Sequence, residues 1–510
     1  MMLNFLLACL QASASAGAAV GGPQVALEYG TFLGWTNTSN GVELFLGLPY
    51  AAPPVGDKRL RHPAPVNSFQ GVQDATRQKA DCMQAPSALN PIPASLLEDF
   101  ANISATTSSR PGVVQTANTS EGCLYVNLFR PEGTREGAKL PVLFWIYGGG
   151  GINGRISAYV LPGQNIVQTS VENGQPIIFV AVNYRMSIWG FLPGQEVIDA
   201  GVSNLGILDQ RAALDWVQKY VAAFGGDPEN VTVSGGSAGA ICTFFQLLMY
   251  GGQNAPFKRA ILKSGSLVPM APSPAAYPQA RFDKFVALVG CAEAVDKISC
   301  LRGVPNELLA ESVGNTTFWW TIKDLVLYAP QVDGWTLPDT PQNLLRQGRF
   351  AKVPIIVGDV MDEGAGFEAF WCNVTDEEGF EGWMENLYVK GRLKRNSAAY
   401  PQDPAQGSPF GTGNLYQLTP QTKRMNAIFG DYLFVAARRF VLSQYTAQGL
   451  PAWSYLYGHS RTAWYGASHG SDIASLFGLL KDQVSRGMMT AYISFVTTGN
   501  PNACCSTKSA

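Results

Sequence analysis

Histidine is scarce in this chain, with three among 510 residues. Any chemistry that needs an imidazole must draw on His62, His459 or His469. No Cys-x-x-Cys pair and no His-Cys cluster at ligand spacing occurs, so the pattern offers no zinc site. Beyond the first residues, no run of 18 uninterrupted apolar residues is found, which excludes a later membrane-spanning helix. No basic block or acidic tail appears and the net charge is −2, so nucleic acid has no electrostatic footing. The last residues, CCSTKSA, lack the hydrophobic tail of a lipid-anchor signal. Internal repeats and long low-complexity linkers are absent as well.

What is present points outward from the cell. The first residues read MMLNFLLACLQASASAGAAV, an apolar run followed by Ala12, Ala14 and Ala16. This is the pattern of a secretory signal over residues 1–18, although it lacks the usual leading Lys or Arg. Sequons at Asn37, Asn102, Asn118, Asn230, Asn315 and Asn373 fit that route. Of the nine cysteines, Cys9 falls inside the signal and the other eight suit an oxidising compartment.

At 46% hydrophobic residues the chain has ample material for a large core. Unbroken apolar runs such as LPVLFWIY, PIIFVAVNY and VPIIVG read as strands buried on both faces. Helix-like segments separate them. Over Gly206–Phe224, Leu208, Ala212, Leu214, Trp216 and Val217 fall near helical spacing. This alternation predicts an α/β protein: a large, mostly parallel sheet with helices on both faces, over residues 19–510.

The informative stretch is VTVSGGSAGAIC, residues 231–242. A serine nucleophile needs its oxygen clear of the backbone and an N–H aimed where negative charge develops. Gly235-Gly236-Ser237-Ala238-Gly239, between a strand and an apolar helix, meets both needs. A second strand ends in WIYGGGG, a glycine run whose N–H groups no side chain blocks and which can join that of Ala238 around an oxyanion. The spacing Gly149-x-Gly151-x-x-Gly154 also matches a dinucleotide-binding turn. That reading requires an acid at the end of the next strand, where Asn183-Tyr184-Arg185 stands instead.

The base comes from a short list. In hydrolases of this kind the order is serine, acid, histidine, which favours the late loop histidine His469, in SHGSD, over His459. The acid belongs on the loop after VPIIVG, where Asp359, Asp362 and Glu363 compete and the pattern alone does not choose.

Together these segments resemble the type-B carboxylesterase/lipase family of the α/β-hydrolase fold. The likeness runs through GLPYAAPPVGDKRL, EGCLYVNLFRP, WIYGGGG, NYRMSIWGFL, SGGSAG, LKSGS, DEGAGF, SHGSDI and AYISFVTTGNPN. It implies Ser237 as nucleophile, Glu363 as acid and His469 as base, with Gly149, Gly150 and Ala238 as oxyanion donors. It also implies disulfides Cys82–Cys123 and Cys291–Cys300, and a supporting role for Ser264. Cys242, Cys372, Cys504 and Cys505 stay unassigned, Cys242 reading as a buried thiol.

The implied activity is a secreted serine carboxylic ester hydrolase that works through an acyl-enzyme, without metal or organic cofactor. A lipase or sterol esterase activated at interfaces is the alternative among enzymes. A non-catalytic binding protein of this family would typically lack a triad member, and none is missing. Within the first disulfide loop, Leu96, Leu97, Phe100 and Ile103 share one helical face. A moving lid and a fixed surface helix both account for that face. Phe318-Trp319-Trp320 borders the acyl pocket in relatives and serves pocket or core alike. Three residues depart from the family pattern: Gly122 in EGCL, Gly151 where an aromatic is common, and Gly236 where relatives have Glu before the nucleophile. Loss of that Glu takes a negative charge away from His469 and so disfavours the imidazolium.

Overall fold

The computed structural model describes residues 21–85, 118–268, 276–316, 328–385, 399–459, 461–462 and 464–503. The expected signal segment, the amphipathic stretch 93–103, Phe318–Trp320, Cys504 and Cys505 lie outside them.

The apolar runs form the centre of a nine-stranded sheet. In chain order its strands are β1 (Trp35–Asn37), β2 (Val42–Pro49), β3 (Tyr125–Pro131), β4 (Leu140–Ile146) and β5 (Ile178–Val182). They continue with β6 (Gly226–Gly236), β7 (Arg259–Lys263), β8 (Ile355–Val360) and β9 (Ala452–Tyr457). The spatial order is β9-β8-β7-β6-β4-β5-β3-β2-β1. From β9 through β5 every neighbouring pair is parallel. From β5 to β1 the pairs are antiparallel, so the mostly parallel sheet has an antiparallel flank. The strand β2 is buried along its whole length despite Glu43. Arg130 Nε donates to Glu43 Oε2 at 2.7 Å, which makes that burial tolerable.

Helices cover both faces, among them α1 (Val160–Glu172), α2 (Leu205–Tyr220), α3 (Ala238–Leu248), α4 (Thr422–Gly430), α5 (Ala436–Ala447), α6 (Asp472–Leu476) and α7 (Gln483–Thr498). Trp145, Phe179, Phe244 and Phe245 are fully buried between sheet and helices. No helix among the described residues is long and apolar enough to cross a membrane.

Both expected disulfides are formed, Cys82–Cys123 across 41 residues and Cys291–Cys300 across 9. In the chain-entropy model the longer one removes roughly 4 kcal/mol of unfolded-state freedom. Cys242 is a free, buried thiol, as its place on an apolar helix suggested. Among the sequons, Asn118 and Asn373 are exposed. The Asn37 amide donates to Gln164 Oε1, and the Asn230 carbonyl accepts from Arg259.

Candidate active site

The strand β6 and helix α3 meet at Ser237, which caps the helix with φ 57° and ψ −128°. That conformation is costly for a residue with a Cβ and needs its surroundings to hold it. The Ser237 N–H donates to the Lys263 carbonyl at 2.8 Å, tying the corner to β7. The corner is also too tight for side chains nearby. A Cβ on Gly239 would lie 2.1 Å from the Ile146 carbonyl oxygen, and one on Gly148 would lie 2.4 Å from that of Gly236. These glycines therefore let the end of β4, the corner and the start of α3 approach each other.

Next to this corner, Gly149 and Gly150 turn with φ 115° and 67°. Among the described residues none accepts a hydrogen bond from their N–H groups. The Ala238 N–H opens α3 and has no partner within the helix. Gly149, Gly150 and Ala238 all face one cavity of about 670 Å³, together with Ser237 and His469. The glycine segment runs into a turn and then α1 in place of the phosphate-cradling helix start of a dinucleotide site. Gly151 follows with φ 73°, and a Cβ there would lie 2.6 Å from the Tyr328 carbonyl oxygen.

The three competing acids have three fates. The ladder between β8 and β9 extends through Asp359 and Val360, beyond the expected strand end at Gly358. Asp359 is thereby fixed in the sheet, where Arg438 Nε donates to it at 2.6 Å. Burial, then the neighbouring Glu363 charge, push its carboxyl up to about 7, against the pull of Arg438. Asp362 turns to the backbone and accepts from Phe410 N–H at 2.8 Å and Ala467 N–H at 2.9 Å. Glu363 turns to histidine. Its Oε2 lies 2.6 Å from His469 Nδ1, and its Oε1 accepts the Val360 N–H at 2.8 Å. Facing a carboxylate, Nδ1 carries the proton, which leaves Nε2 as the acceptor nitrogen. Nε2 is buried and has no hydrogen-bond partner among the described residues, Ser237 Oγ included. A loose contact between base and nucleophile is common in ligand-free sites.

The other histidines are elsewhere. His62 stacks on Trp335 with ring centroids 5.5 Å apart. His459 Nε2 lies 3.0 Å from Asp482 Oδ2 at the surface. Ser264 stands beside the cavity, buried, its hydroxyl without a partner among the described residues. Cys242 also borders the cavity, but burial pushes its thiol up to about 12, so it stays protonated.

Sequence reasoning overlooked several neighbours. The Phe367 and Phe434 rings flank the His469 imidazole, with centroids 5.3 and 4.7 Å away. Between α4 and α5 the helix makes one π-helical turn, Asp431–Val435, and Leu433 and Phe434 from that turn face the cavity. The extra residue of a π turn re-aims a helix face, a device frequent at functional sites. Lys263 and Asp472 form a buried ion pair at 3.2 Å on the cavity wall. Asp472 belongs to the SHGSDI segment and Lys263 to LKSGS, and the resemblance gave neither residue a role. Among the described residues no cluster of His, Cys, Asp or Glu is placed to hold a metal.

A mostly parallel sheet whose strand-to-helix corner presents a serine to a cavity that a Glu-paired histidine also lines marks an α/β-hydrolase. The carboxylesterase family model matches residues 21–510. The chain is 40% identical over 478 residues to secreted lipase 1 of Botryotinia fuckeliana, covering 90% of this chain and 82% of that one. It is 37% identical over 495 residues to a secreted triacylglycerol lipase of Gibberella zeae, covering 94% and 82%. The crystal structure of Aspergillus niger EstA superposes with a TM-score of 0.78 at 28% identity, covering 96% of this chain and 91% of that one. The chain belongs to the carboxylesterase family of carboxylic ester hydrolases.

Proposed function

We propose that Ser237, His469 and Glu363 form the catalytic triad of a secreted serine esterase. The observation that carries this is the strained Ser237 corner facing the same cavity as His469, whose Nδ1 lies 2.6 Å from the buried Glu363. Ser237 Oγ attacks the ester carbonyl carbon while His469 Nε2 takes its proton. The carbonyl oxygen becomes an oxyanion held by the N–H groups of Gly149, Gly150 and Ala238. The protonated imidazole, steadied by Glu363, then gives its proton to the departing alcohol. Water attacks the acyl-serine by the same route and releases the acid.

Secretion is supported by the apolar leader over residues 1–18 and by relatives that are named secreted lipases. Those names, and the apolar side chains of Phe367, Phe370, Leu433 and Phe434 on the cavity wall, favour a lipase as the second reading.

Two measurements test the proposal. An organophosphonate should inactivate the enzyme with one adduct, mapped to Ser237. Ser237→Ala should lower kcat by at least about 10⁴-fold. An adduct elsewhere, or an active alanine variant, would overturn the mechanism. For the substrate, rates on a long-chain triglyceride are followed through its solubility limit. A jump there favours the lipase reading, and a smooth approach to saturation favours soluble esters.

A further inference from the structure

Lys263 is fully buried, and so is its partner Asp472. The Lys263 ammonium is 3.2 Å from Asp472 Oδ2 and has no other partner among the described residues. Asp472 Oδ2 also accepts from the Tyr455 hydroxyl at 2.8 Å, while its Oδ1 is unpartnered. A pair this dry contributes little net stability compared with an apolar pair of similar size. Its location is more telling. The Lys263 carbonyl takes the Ser237 N–H at 2.8 Å, and Asp472 lies three residues after His469. Lys263 thus joins the nucleophile's backbone to the loop that carries the histidine.

Gly236 belongs to the same arrangement. It pairs with Lys263 in the parallel register of β6 and β7, so side chains at the two positions project from the same face. A Cβ at 236 would point at Ile473 Cδ1, 3.0 Å away, beside the Asp472 that Lys263 reaches. A glycine at 236 and a lysine at 263 therefore leave a net-neutral pair on the cavity wall that His469 shares.

We propose that Lys263 is a positioning residue of the hydrolytic site: its ion pair with Asp472 fixes His469 relative to Ser237 and cancels the carboxylate charge that Asp472 brings to the same cavity wall. The inference rests on the triad reading above. Other charges around His469 are already balanced or oriented. Glu363 bonds to it directly, and Asp359 behind Glu363 is held by Arg438. Asp362 lies 3.6 Å from Arg461. Among the described residues, β9 and α7 add the neutral hydroxyls of Tyr455, Tyr457, Tyr492 and Ser485, and the flanking Phe367 and Phe434 carry no charge. Burial draws the Lys263 ammonium below its ordinary range, while Asp472 and then Glu363 oppose that pull.

Lys263→Gln leaves Asp472 without its cation. The expected result is a fall in kcat of about tenfold at nearly unchanged KM. The acidic limb of the kcat/KM profile should move up by roughly half to one pH unit, because a bare carboxylate favours the imidazolium. Lys263→Gln/Asp472→Asn removes both charges and should bring the limb back to the wild-type position, with part of kcat restored. Lys263→Arg should keep the limb in place. A packing role predicts instead that the double variant is worse than either single one. An unmoved limb in Lys263→Gln, or losses that simply add, would overturn the inference. If Lys263→Gln does not fold, Asp472→Asn decides: a kcat within twofold of wild type overturns it and a loss of tenfold at constant KM supports it. None of these outcomes bears on the triad itself, which Ser237→Ala tests separately.

Discussion

Asp362 and Ala467 are joined by two hydrogen bonds: Asp362 Oδ2 accepts the Ala467 N–H at 2.9 Å, and the Asp362 N–H donates to the Ala467 carbonyl at 3.0 Å. This clasp sits one residue before Glu363 and two before His469, so it sets the spacing of acid and base without touching either. Asp362→Ala would strand the N–H groups of Phe410 and Ala467, each at a cost of about 1–3 kcal/mol if it stays buried. The expected outcome is a lower thermal midpoint and a kcat reduced about 10- to 100-fold, since small misplacements of reacting groups are expensive. Steady-state rates and melting curves on the same preparation check both, and a variant with wild-type kcat would show that the loops hold their spacing unaided.

The contact between Gly148 and the Ser237 corner gives a sharper case. A Cβ at 148 would lie 2.4 Å from the Gly236 carbonyl oxygen and 2.8 Å from Ser237 Cβ. Backbone cannot swing aside as a side-chain tip does, so Gly148→Ala must displace the oxyanion loop or the nucleophile. A loss of around 10²-fold in kcat is expected, with far-ultraviolet circular dichroism unchanged. Full activity would mean that the strand end yields more easily than its packing implies.

Gly236→Glu should be tolerated sterically, because the obstacle is the flexible end of Ile473, 3.0 Å from the added Cβ. The new carboxylate stands beside the neutral Lys263–Asp472 pair and makes the group net negative. It therefore favours protonated His469, and the acidic limb of the pH–rate profile should rise by about one unit. A limb that stays put would argue that the added carboxylate is itself protonated or turned away.

Glu368 supplies a stability prediction. It is buried, with Oε1 accepting from the Asn426 amide at 2.7 Å and Oε2 from the Gly366 N–H at 2.7 Å. Burial pushes its carboxyl up to about 7, above the ordinary 4.5. The folded state thus binds a proton that the unfolded chain has released. The associated stability is complete below about pH 4.5 and is lost as pH rises through 7. Urea unfolding of wild type at pH 5 and pH 8 should differ through this group by on the order of 2 kcal/mol. Glu368→Gln should flatten that part of the slope, and equal slopes in the two proteins would sink the assignment.

Much of this architecture was legible in the sequence because the central strands are buried on both faces and so read as unbroken apolar runs. At the parallel edge, Ala452–Tyr457 is a less apolar strand, and half of its residues are only partly covered. The antiparallel flank was harder to see, since β2 hides Glu43 behind an arginine 87 residues away. The elbow serine and the glycine loop were readable because each depends on local backbone shape, whereas the choice of Glu363 among three neighbouring acids came from the family resemblance alone. Phe434 was not readable, because the π turn that aims it has no pattern of its own. Lys263 lies in LKSGS, yet the sequence gives it no role: only the register with Gly236 and the reach to Asp472 do so.

Gly151 carries a consequence for anyone who would redesign this protein. Its left-handed backbone and its approach to the Tyr328 carbonyl oxygen together bar any side chain at that position. A library that randomises codon 151 alone should return glycine among its active clones. Access to the aromatic common in relatives runs through a prior change around Tyr328, so the order of substitutions decides whether that branch of the family's sequence space can be entered at all.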